Sequence, residues 1–566
     1  MINKSSHVFS PSRRNTLKKT GAALCAGMLP FAAPCGWAQP RSARYRRPNA
    51  SSKTGARMLD SYARAVRAML ALPPEDPRNW YRQAIVHTLD CPHGNWWFLP
   101  WHRGYLGWFE QICRELSRDP YFALPYWDWT AEPRMPARLF DDVLDPNHHA
   151  FIPTASNFEQ RLKAAIANAG YWTSPGGVFD RRSQFGQLLT RRNRFDADLM
   201  FDIVTHPAGR LFYEQPGARG LRRERPDFSA AAVDAVSPAT IRAALAAPDF
   251  PTFASPRSGN HATSAGFGVL EGRPHNMVHR CVGSRDCSLA GAQGFMADML
   301  SPVDPVFFLH HANMDRLWDV WTRKQIALGL PTLPAGVELR TDLPDDQKSP
   351  EETNTDYYRW AREPLLFFVD SRGKPVSQTR AEAYAWMSAF DYDYEAGAGE
   401  EVVSQATHQP NARMTRRVYA GRVTSRMAQG RRAAGAVVQA PAGALEQAAG
   451  SGAALVAVLT LNFPDMAHGP FVVSVNGPGD PGQVDTNSPY YLGTIVMFGH
   501  HGGHGEVSYS LPLADKLARL RAARALPADG ALRLRVAPMT GMDGHRHDGM
   551  GGGDALELLD ARIEAY

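Results

Sequence analysis

The chain of 566 residues has no strong excess of charge of either sign. Its 62 lysine and arginine residues nearly balance 56 aspartate and glutamate residues, which gives a formal net charge of +6. Domains that bind nucleic acid by charge carry a clear basic excess, often concentrated on one face. The composition therefore argues against a nucleic-acid partner.

The amino-terminal region lacks an apolar run long enough to cross a membrane comfortably. A spanning helix needs about 20 apolar residues, and the stretch from Gly21 to Ala33 is shorter. It follows a twin-arginine pattern in Ser12–Lys18 and precedes the small-residue sequence Gly36–Ala38. We interpret residues 1–38 as a removable export signal. This predicts a bacterial, periplasmic or secreted protein with no stable membrane insertion after cleavage; an uncleaved anchor is the alternative.

Cysteine is scarce, with six residues in the chain. Cys25 and Cys35 would leave with the signal, and Cys113 falls in an apolar-periodic helical segment. Cys281 and Cys287 enclose a short loop and could form a disulfide in an oxidising compartment. Cysteine usage thus agrees with export without proving it.

Six histidines form two clusters whose chemistry suits copper. Imidazole binds copper without enforcing a fixed geometry, and a site made only of histidines leaves positions open for a small molecule such as dioxygen. The sequence therefore predicts two copper ions as cofactors. The candidate ligands of the first are the cluster His87, His93 and His102, and those of the second come from the cluster around His275, His279 and His311.

The spacing of the second cluster predicts its geometry. His275 and His279 are four residues apart, so on a helix they lie on one face and can reach one metal. A later helix supplies the third ligand from His310 or His311. Neighbours on a helix diverge by about 100°, so only one of these two can point at that metal. Helical phase alone does not choose between them.

The start of this later helix is marked by its own residues. Asp304 can cap the helix, and Pro305 fits its first position. In the first cluster, helical patterning places His87 and His102 on two helices and leaves His93 in the loop between them. Any single histidine of the six could be an ordinary buried or surface residue, but the arrangement as a whole favours metal binding.

Two long motifs resemble a known family. His93–Arg103 and Asp304–Trp318 resemble the first and second copper signatures of the tyrosinase, catechol oxidase and hemocyanin group, and the resemblance extends from about Arg46 to Tyr394. It implies a mainly α catalytic domain in which a four-helix bundle holds two coppers as one coupled, dioxygen-binding centre. It also implies that His311 is the ligand and that His310 is its neighbour.

The same resemblance assigns roles to residues beside the ligands. It implies that Glu271 and Asn276 hold a water that takes the proton of an incoming phenol, whose pKa is about 10. Members without the asparagine tend to act on diphenols only, so Asn276 favours monophenolase activity. The alternative is that Glu271 pairs with an arginine such as Arg273. Arg280 would orient a substrate carboxylate, or is a solvated surface arginine.

Two further features depend on the resemblance. Cys91 precedes His93 by two residues, which in fungal-type members implies a thioether between sulfur and imidazole that fixes the loop histidine. A free or disulfide-bonded cysteine is the alternative. The residue that overhangs the second copper would come from the loop Gly294–Met299, and the sequence does not identify it.

The carboxy-terminal part of the chain has a different composition and residue pattern. We expect a dicopper domain over 39–395, closed by the Tyr-x-Tyr element at Tyr392–Tyr394, then a linker over 396–454 rich in alanine, glycine and glutamine. Alternating β-branched segments over 455–566 predict a β-sandwich-like domain. Plant and fungal relatives carry such a domain as a lid over the copper site, which implies that this chain is latent until the domain is displaced.

This domain also concentrates soft and borderline metal ligands. They could pass Cu(I) to the main site, or they are incidental residues of glycine-rich loops. They are His468, His500, His501, His504, Met539, Met542, His545, His547 and Met550.

The leading hypothesis is a tyrosinase-type oxidase. With dioxygen and a phenolic small molecule as substrates, it would convert monophenols and o-diphenols to o-quinones. A catechol or o-aminophenol oxidase without monophenolase activity is the nearest alternative, and a hemocyanin-like oxygen carrier belongs to a different class. The sequence indicates neither the natural phenol nor the oligomeric state.

Overall fold

In the computed structural model, a helical region is followed by a region of β-strands, and both belong to the unit Ala43–Tyr566. Residues 1–42, with the expected export signal, lie outside the described part. Among the described helices, none has the length and hydropathy needed to span a bilayer. The structure describes residues 43–73, 76–151, 219–283, 287, 294–297, 299–337, 356–376, 380–408, 416–429, 432–441, 443–444, 447, 454–463, 470–477, 484–498, 506–527, 529–539 and 555–566.

Helices are the main regular elements among the described residues before position 410. They are α1 (Lys53–Ala71), α2 (Trp80–Asp90), α3 (Phe98–Ser117), α4 (Ala230–Val236), α5 (Pro238–Ala246), α6 (Phe250–Phe253), α7 (Asn276–Gly283), α8 (Val306–Leu328), α9 (Asp356–Ala361), α10 (Glu401–Thr407) and, later in the chain, α11 (Ala514–Ala522). A π-helical turn, Glu271–His275, leads directly into α7. Short 3-10 turns are Ala137–Phe140, Asp142–Leu144, Phe295–Ala297, Ser301–Val303, Ala381–Tyr384 and Met387–Ala389.

Side-chain caps fix where the helices that flank the site begin. The Asn79 side chain accepts hydrogen bonds from the first backbone amides of α2, which satisfies donors that have no partner within the helix. Asp304 Oδ1 accepts from Val306 N at 3.0 Å, as the sequence predicted. Its carboxylate is held by Arg219, and both side chains are fully buried. Gly329, in the left-handed region at φ 69°, ends α8.

The helical region is closed by the Tyr-x-Tyr element. Strand β1 (Tyr45–Arg47) pairs in parallel with β3 (Tyr392–Tyr394). The hydroxyls of Tyr392 and Tyr394 both donate to Asp315 Oδ2 on α8. Arg103 Nε on α3 donates to the other carboxylate oxygen of Asp315 at 2.7 Å. These buried bonds tie α3 to α8 next to His102.

The remaining strands of the described residues form one curled sheet of ten strands. They are β2 (Gly266–Phe267), β4 (Arg417–Ser425), β5 (Met427–Gln429), β6 (Ala434–Gln439), β7 (Leu455–Asn462), β8 (Phe471–Val475), β9 (Tyr491–Ile495), β10 (Glu506–Pro512), β11 (Ala531–Pro538) and β12 (Ala555–Ala565). Their order in the sheet is β2-β10-β7-β12-β4-β6-β11-β8-β9, and β5 pairs with β12.

Two sequence expectations about this region need correction. The expected linker over 396–454 contains strands β4, β5 and β6, which belong to the sheet. In β6 the small residues Ala434 and Ala436 are buried together with Val438, so an alanine-rich composition reflects close packing and not a flexible connection. The expected sandwich is also a single continuous path of paired strands, curled around its own core.

The sheet and the helices share part of their packing. Val456, Val458, Val496 and Phe498 from the carboxy-terminal region are buried in the same cluster as the helical core. In the other direction, Phe267 of β2 is buried in the core of the sheet, and β2 pairs in parallel with β10. The β domain is therefore packed directly against the part of the molecule that carries the histidines.

Candidate metal centre

The structure brings the three histidines of the first cluster together. His87 lies on α2, His102 lies on α3, and His93 lies in the loop between them, as predicted. One nitrogen of each ring and the sulfur of Cys91 all lie within 4.8 Å of one another, and all four residues are buried. Three imidazoles on two helices and a loop thus converge on one point.

The second cluster contains four histidines. His275 ends the π-helical turn, His279 lies on α7, and His310 and His311 lie on α8. One nitrogen of each lies within 4.8 Å of the others. The π-helical turn contains Pro274, which cannot donate the usual backbone hydrogen bond of a helix interior. Such local widening of a helix is frequent at functional sites.

Backbone carbonyls orient three of the rings in the same way. Nδ1 of His87 lies 2.7 Å from the carbonyl oxygen of Met299. Nδ1 of His102 lies 2.8 Å from that of Phe98, and Nδ1 of His279 lies 2.8 Å from that of Met296. A carbonyl only accepts, so in each ring Nδ1 carries the hydrogen and Nε2 keeps its lone pair. Metal-bound histidines commonly have this arrangement. Met296 and Met299 belong to the loop expected to overhang the second site, and the sequence did not reveal their role.

His275 is oriented by its neighbour. Its Nδ1 lies 2.8 Å from Oδ1 of Asn276, and Nδ2 of Asn276 donates to Val496 O at 3.2 Å. Because Val496 O can only accept, the amide orientation is fixed, and Nδ1 of His275 is the donor to Oδ1. The second polar atom of Asn276 is therefore engaged by the β domain.

The electrostatic state of the rings fits a metal site. Burial lowers the pKa of His87 and of His275 to about 3 and holds the pKa of the other cluster histidines well below the usual range. The rings are therefore neutral. The buried Nε2 atoms of His87 and His275 have no hydrogen-bond partner among the described residues. Such atoms are costly to bury, and a copper ion at this point would use their lone pairs.

The two clusters adjoin each other. The rings of His102 and His311 are stacked with centroids 4.0 Å apart, and those of His93 and His275 lie 5.7 Å apart. Phe307 packs against rings of both clusters, with its ring centroid 4.2 Å from that of His311 and 5.0 Å from that of His87. The two candidate metal positions are therefore neighbours.

Glu271 and Arg273 have different partners, so the alternative that they pair with each other is wrong. The carboxylate of Glu271 accepts from Gly94 N at 2.7 Å and from the hydroxyl of Ser255. Burial raises the pKa of this carboxyl well above its usual range. Arg273 instead donates to Asp234 and to Thr494 O, both at 2.6 Å.

The cysteines near the centre have two distinct environments. Cys91 is buried and unoxidised, with Sγ 3.7 Å from Nε2 of His93 and 3.5 Å from Nε2 of His102. Cys281 and Cys287 form the expected disulfide, with Cα atoms 4.8 Å apart. Arg280 is half-buried on α7 directly after His279.

An aromatic ring that the sequence did not single out lies over the second cluster. Phe498 follows β9 and is 4% exposed. Its ring is stacked on His279, with centroids 3.8 Å apart, and lies 5.1 Å from His93 and 5.5 Å from His275. Of the carboxy-terminal histidines and methionines that could either pass copper to the main site or be incidental, Met539 is described and exposed; the others lie outside the described residues.

Comparison with known proteins agrees with this geometry. Residues 77–324 match the family described as the common central domain of tyrosinase. (+)-Larreatricin hydroxylase of Larrea tridentata is 28% identical over 280 residues, which are 46% of this chain and 38% of that protein. A polyphenol oxidase of Vitis vinifera is 28% identical over 284 residues, 46% of this chain and 37% of that protein. The chain thus spans about two fifths of the length of these curated relatives.

Solved structures share the whole architecture. A latent apple tyrosinase superposes with a TM-score of 0.51 at 19% identity over 93% of this chain and 98% of that chain. A latent aurone synthase gives a TM-score of 0.51 at 19% identity over 93% and 90%. At this identity the likeness concerns the fold, an α-helical core with a carboxy-terminal β domain. Residues 77–324 are therefore similar to the common central domain of tyrosinase, and they contain two histidine-rich sites consistent with a dicopper centre.

Proposed function

We propose that this chain is a tyrosinase-type copper oxidase that uses dioxygen to convert monophenols and o-diphenols to o-quinones. The observation that carries the proposal is the convergence of two adjoining clusters of neutral, buried histidines. Two bound copper ions would supply the electron transfer to dioxygen that the reaction needs. The ligands are His87, His93 and His102 for the first ion and His275, His279 and His311 for the second.

The protein's own contribution begins with ligand orientation. The carbonyls of Met299, Phe98 and Met296 hold the rings of His87, His102 and His279 so that each directs Nε2 inward. These contacts fix the site geometry before a substrate arrives, which lowers the cost of reaching the reactive arrangement. Burial of the centre among aromatic rings also limits access of bulk water.

Glu271 and Asn276 are proposed to handle the proton of a phenol. A bound water between the two side chains would accept that proton, since a phenol is largely protonated near neutral pH. Gly94 N and Ser255 hold the carboxylate of Glu271 in place. The Nδ2 group of Asn276, however, is bonded to Val496 O of the β domain. We therefore expect monophenol turnover to require release of this contact.

Arg280 is proposed to orient a substrate carboxylate at the mouth of the site.

The β domain, including residues 455–566, is proposed to act as a lid that keeps the enzyme latent. Three successive contacts from one segment support this: Thr494 O with Arg273, Val496 O with Asn276, and the Phe498 ring on His279. A phenol that reaches the second copper would need the space that Phe498 fills. Displacement of this segment is then a condition for turnover of all but the smallest substrates.

A buried group of three charges fastens the lid. Asp234 on α4 accepts from Arg273 Nη2 with one oxygen and from Lys516 Nζ on α11 with the other, both at 2.6 Å. The side chains of Arg273, Lys516 and Asp234 are only 1%, 8% and 12% exposed. One carboxylate thus joins the turn that carries His275 to a helix of the β domain. Removing one member leaves a buried charge without its partner, which is costly.

A covalent modification beside the first cluster is also proposed. Cys91 and His93 are proposed to form a thioether: a carbon of the imidazole bonds to sulfur, the thiol hydrogen and one ring hydrogen leave, and the two electrons pass to dioxygen.

Residues 1–38 are proposed to direct export of the folded protein by the twin-arginine route. Replacing Arg13 and Arg14 by lysine should leave the full-length precursor in the cytoplasm of a bacterial host, whereas unchanged export would contradict that route.

The experiment that tests the function compares three substrates. Copper-loaded chain, before and after limited proteolysis, is given tyrosine, a catechol and an o-aminophenol, and o-quinone formation is followed optically. The proposal expects products from tyrosine and catechol, with faster rates after proteolysis. Products from catechol or o-aminophenol alone would favour the oxidase without monophenolase activity. Reversible dioxygen binding without any product would favour a carrier.

A further inference from the structure

The second cluster contains one histidine more than the three that the proposed site uses. One nitrogen each of His275, His279, His310 and His311 lies within 4.8 Å of the others. The rings of His279 and His310 have centroids 5.0 Å apart, compared with 5.3 Å for His279 and His311. The centroid distances therefore do not separate His310 from His311, although Nε2 of His311 lies 3.1 Å from Nε2 of His279. The hydrogen bonding of the two rings provides a further distinction.

A hydrogen bond from Trp129 distinguishes His310. The indole Nε1 of Trp129 lies 3.1 Å from Nδ1 of His310. An indole N–H can only donate, so Nδ1 of His310 must be the acceptor. A neutral imidazole that accepts at Nδ1 carries its hydrogen on Nε2. This is the reverse of His87, His102 and His279, whose Nδ1 atoms donate to carbonyls. His311 also carries its hydrogen on Nε2 while Nε2 donates to Nε2 of His279 at 3.1 Å. Its Nδ1, however, has no hydrogen-bond partner among the described residues, so no contact prevents the hydrogen from moving to Nδ1 when a metal takes Nε2.

The environment makes this bond persistent. Trp129 and His310 are both completely buried, so water does not compete for either group. The segment before Trp129 is attached to the same helix as His310, because Trp127 N donates to Leu309 O at 3.0 Å. Trp129 N in turn donates to Trp127 O at 3.0 Å. The indole and the imidazole are thus held in register by backbone bonds that do not depend on a metal.

We propose that Trp129 is a positioning residue that keeps the hydrogen of His310 on Nε2, denies that ring a lone pair for copper, and so leaves His311 as the third ligand. The inference rests on the proposed dicopper centre and adds to it what selects the ligand. The inference predicts a change of copper affinity in the opposite direction from the usual one. Removing a side chain that orients a ligand typically weakens metal affinity 10- to 100-fold, whereas removing Trp129 frees an additional ligand.

The test measures copper(I) binding by the full chain in competition with a chromophoric chelator, without any activity assay. His311→Ala should weaken the second copper. Adding Trp129→Phe, which removes the N–H but keeps an aromatic ring, should then tighten that copper about tenfold or more. The hydrogen of His310 is free to move to Nδ1, and Nε2 becomes a ligand. An unchanged or weaker second copper in H311A/W129F would overturn the proposal.

Two controls separate this role from general packing. Trp127→Phe is a matched change, since Trp127 is equally buried and its Nε1 donates to Arg134 O at 3.0 Å; in the His311→Ala chain it should give no gain. Adding His310→Gln to H311A/W129F should abolish the gain. A gain that appears with Trp127→Phe, or one that survives His310→Gln, would contradict the assigned role.

A gentler variant covers the case in which W129F fails to fold. His310→Gln alone keeps an acceptor for the indole N–H and should bind two coppers with wild-type affinity; loss of one copper would make His310 the ligand and overturn the proposal. Copper binding by the wild-type chain separates a failure of the proposed copper centre from a failure of the role of Trp129. Fewer than two coppers would contradict the copper centre itself and with it this role, whereas two tightly bound coppers without the W129F gain would contradict only the role of Trp129.

Discussion

The ring of Phe498 is stacked on the ring of His279, with centroids 3.8 Å apart and planes 25° from parallel. One residue belongs to the segment after β9, and the other lies on α7 in the histidine centre. Aromatic rings gain from such offset contact in addition to the area they bury. Under the proposed function, the β domain supplies the contact that an incoming phenol ring would otherwise make. The proposal therefore links access to the centre with movement of the β domain.

Asp234 offers a way to loosen the lid without touching the histidines. Asp234→Asn leaves Arg273 and Lys516 without their shared anion, so we expect a larger open population and at least about tenfold faster oxidation of a catechol, equivalent to about 1.4 kcal/mol. Initial rates of quinone formation check this. Asp393→Asn is the control, because Asp393 pairs with Arg46 at the surface, where ion pairs contribute little. Equal rates in the wild type and in Asp234→Asn would contradict the fastening role.

Asn276 allows a test of monophenol chemistry. In a chain whose β domain has been displaced by limited proteolysis, so that neither Phe498 nor the Val496 contact limits a substrate, Asn276→Gly should reduce tyrosine turnover by about 100-fold, the lower part of the range for general base catalysis. The rate on a catechol should fall much less. Steady-state kcat on both substrates provides the measurement.

A loss of the same size on both substrates would instead mean that Asn276 serves only to orient His275. Asn276→Asp distinguishes the two effects, since it keeps an acceptor for Nδ1 of His275 and removes the Nδ2 donor. If orientation alone matters, this variant should retain tyrosine turnover.

The thioether predicts a mass change. Intact-mass measurement after reduction and removal of copper should give a value about 2 Da below that of the unlinked chain, because forming the bond removes two hydrogens. Cys91→Ser should abolish the deficit, and Cys113→Ser should not, since Cys113 is buried elsewhere with a free thiol. A copper-loaded, oxygen-exposed wild-type chain of full mass would show that the residues stay unlinked.

The sequence was sufficient where signals are local. The spacing of His275 and His279, the cap at Asp304 and the alternation in β7 to β11 follow from helix and strand periodicity. Alanine and glycine misled the prediction at β6, because small residues have low strand propensity yet pack well in the centre of a sheet. The disulfide between Cys281 and Cys287 could be anticipated because the two cysteines are only six positions apart in the sequence.

Long-range contacts left no such signal. Asp234 and Lys516 are 282 residues apart, and Phe498 is an ordinary apolar residue in its own segment. The carbonyls of Met296 and Met299 belong to the backbone, so residue type does not reveal that they orient histidines. The choice between His310 and His311 depends on Trp129, 181 residues before His310. Each of these relationships arises from packing between separate elements, which periodicity does not encode.

The most direct test of the central claim is dioxygen uptake by copper-loaded full-length chain supplied with 4-tert-butylcatechol, comparing the wild type with Phe498→Ala and Phe498→Leu. A covered phenol oxidase predicts slow uptake by the wild type, at least about tenfold faster uptake by the alanine variant, and little gain with leucine, which still fills the space. Removing copper should abolish uptake in all three. If the copper-loaded alanine variant consumed no more dioxygen than its copper-free form, the account of a lidded copper oxidase would be contradicted.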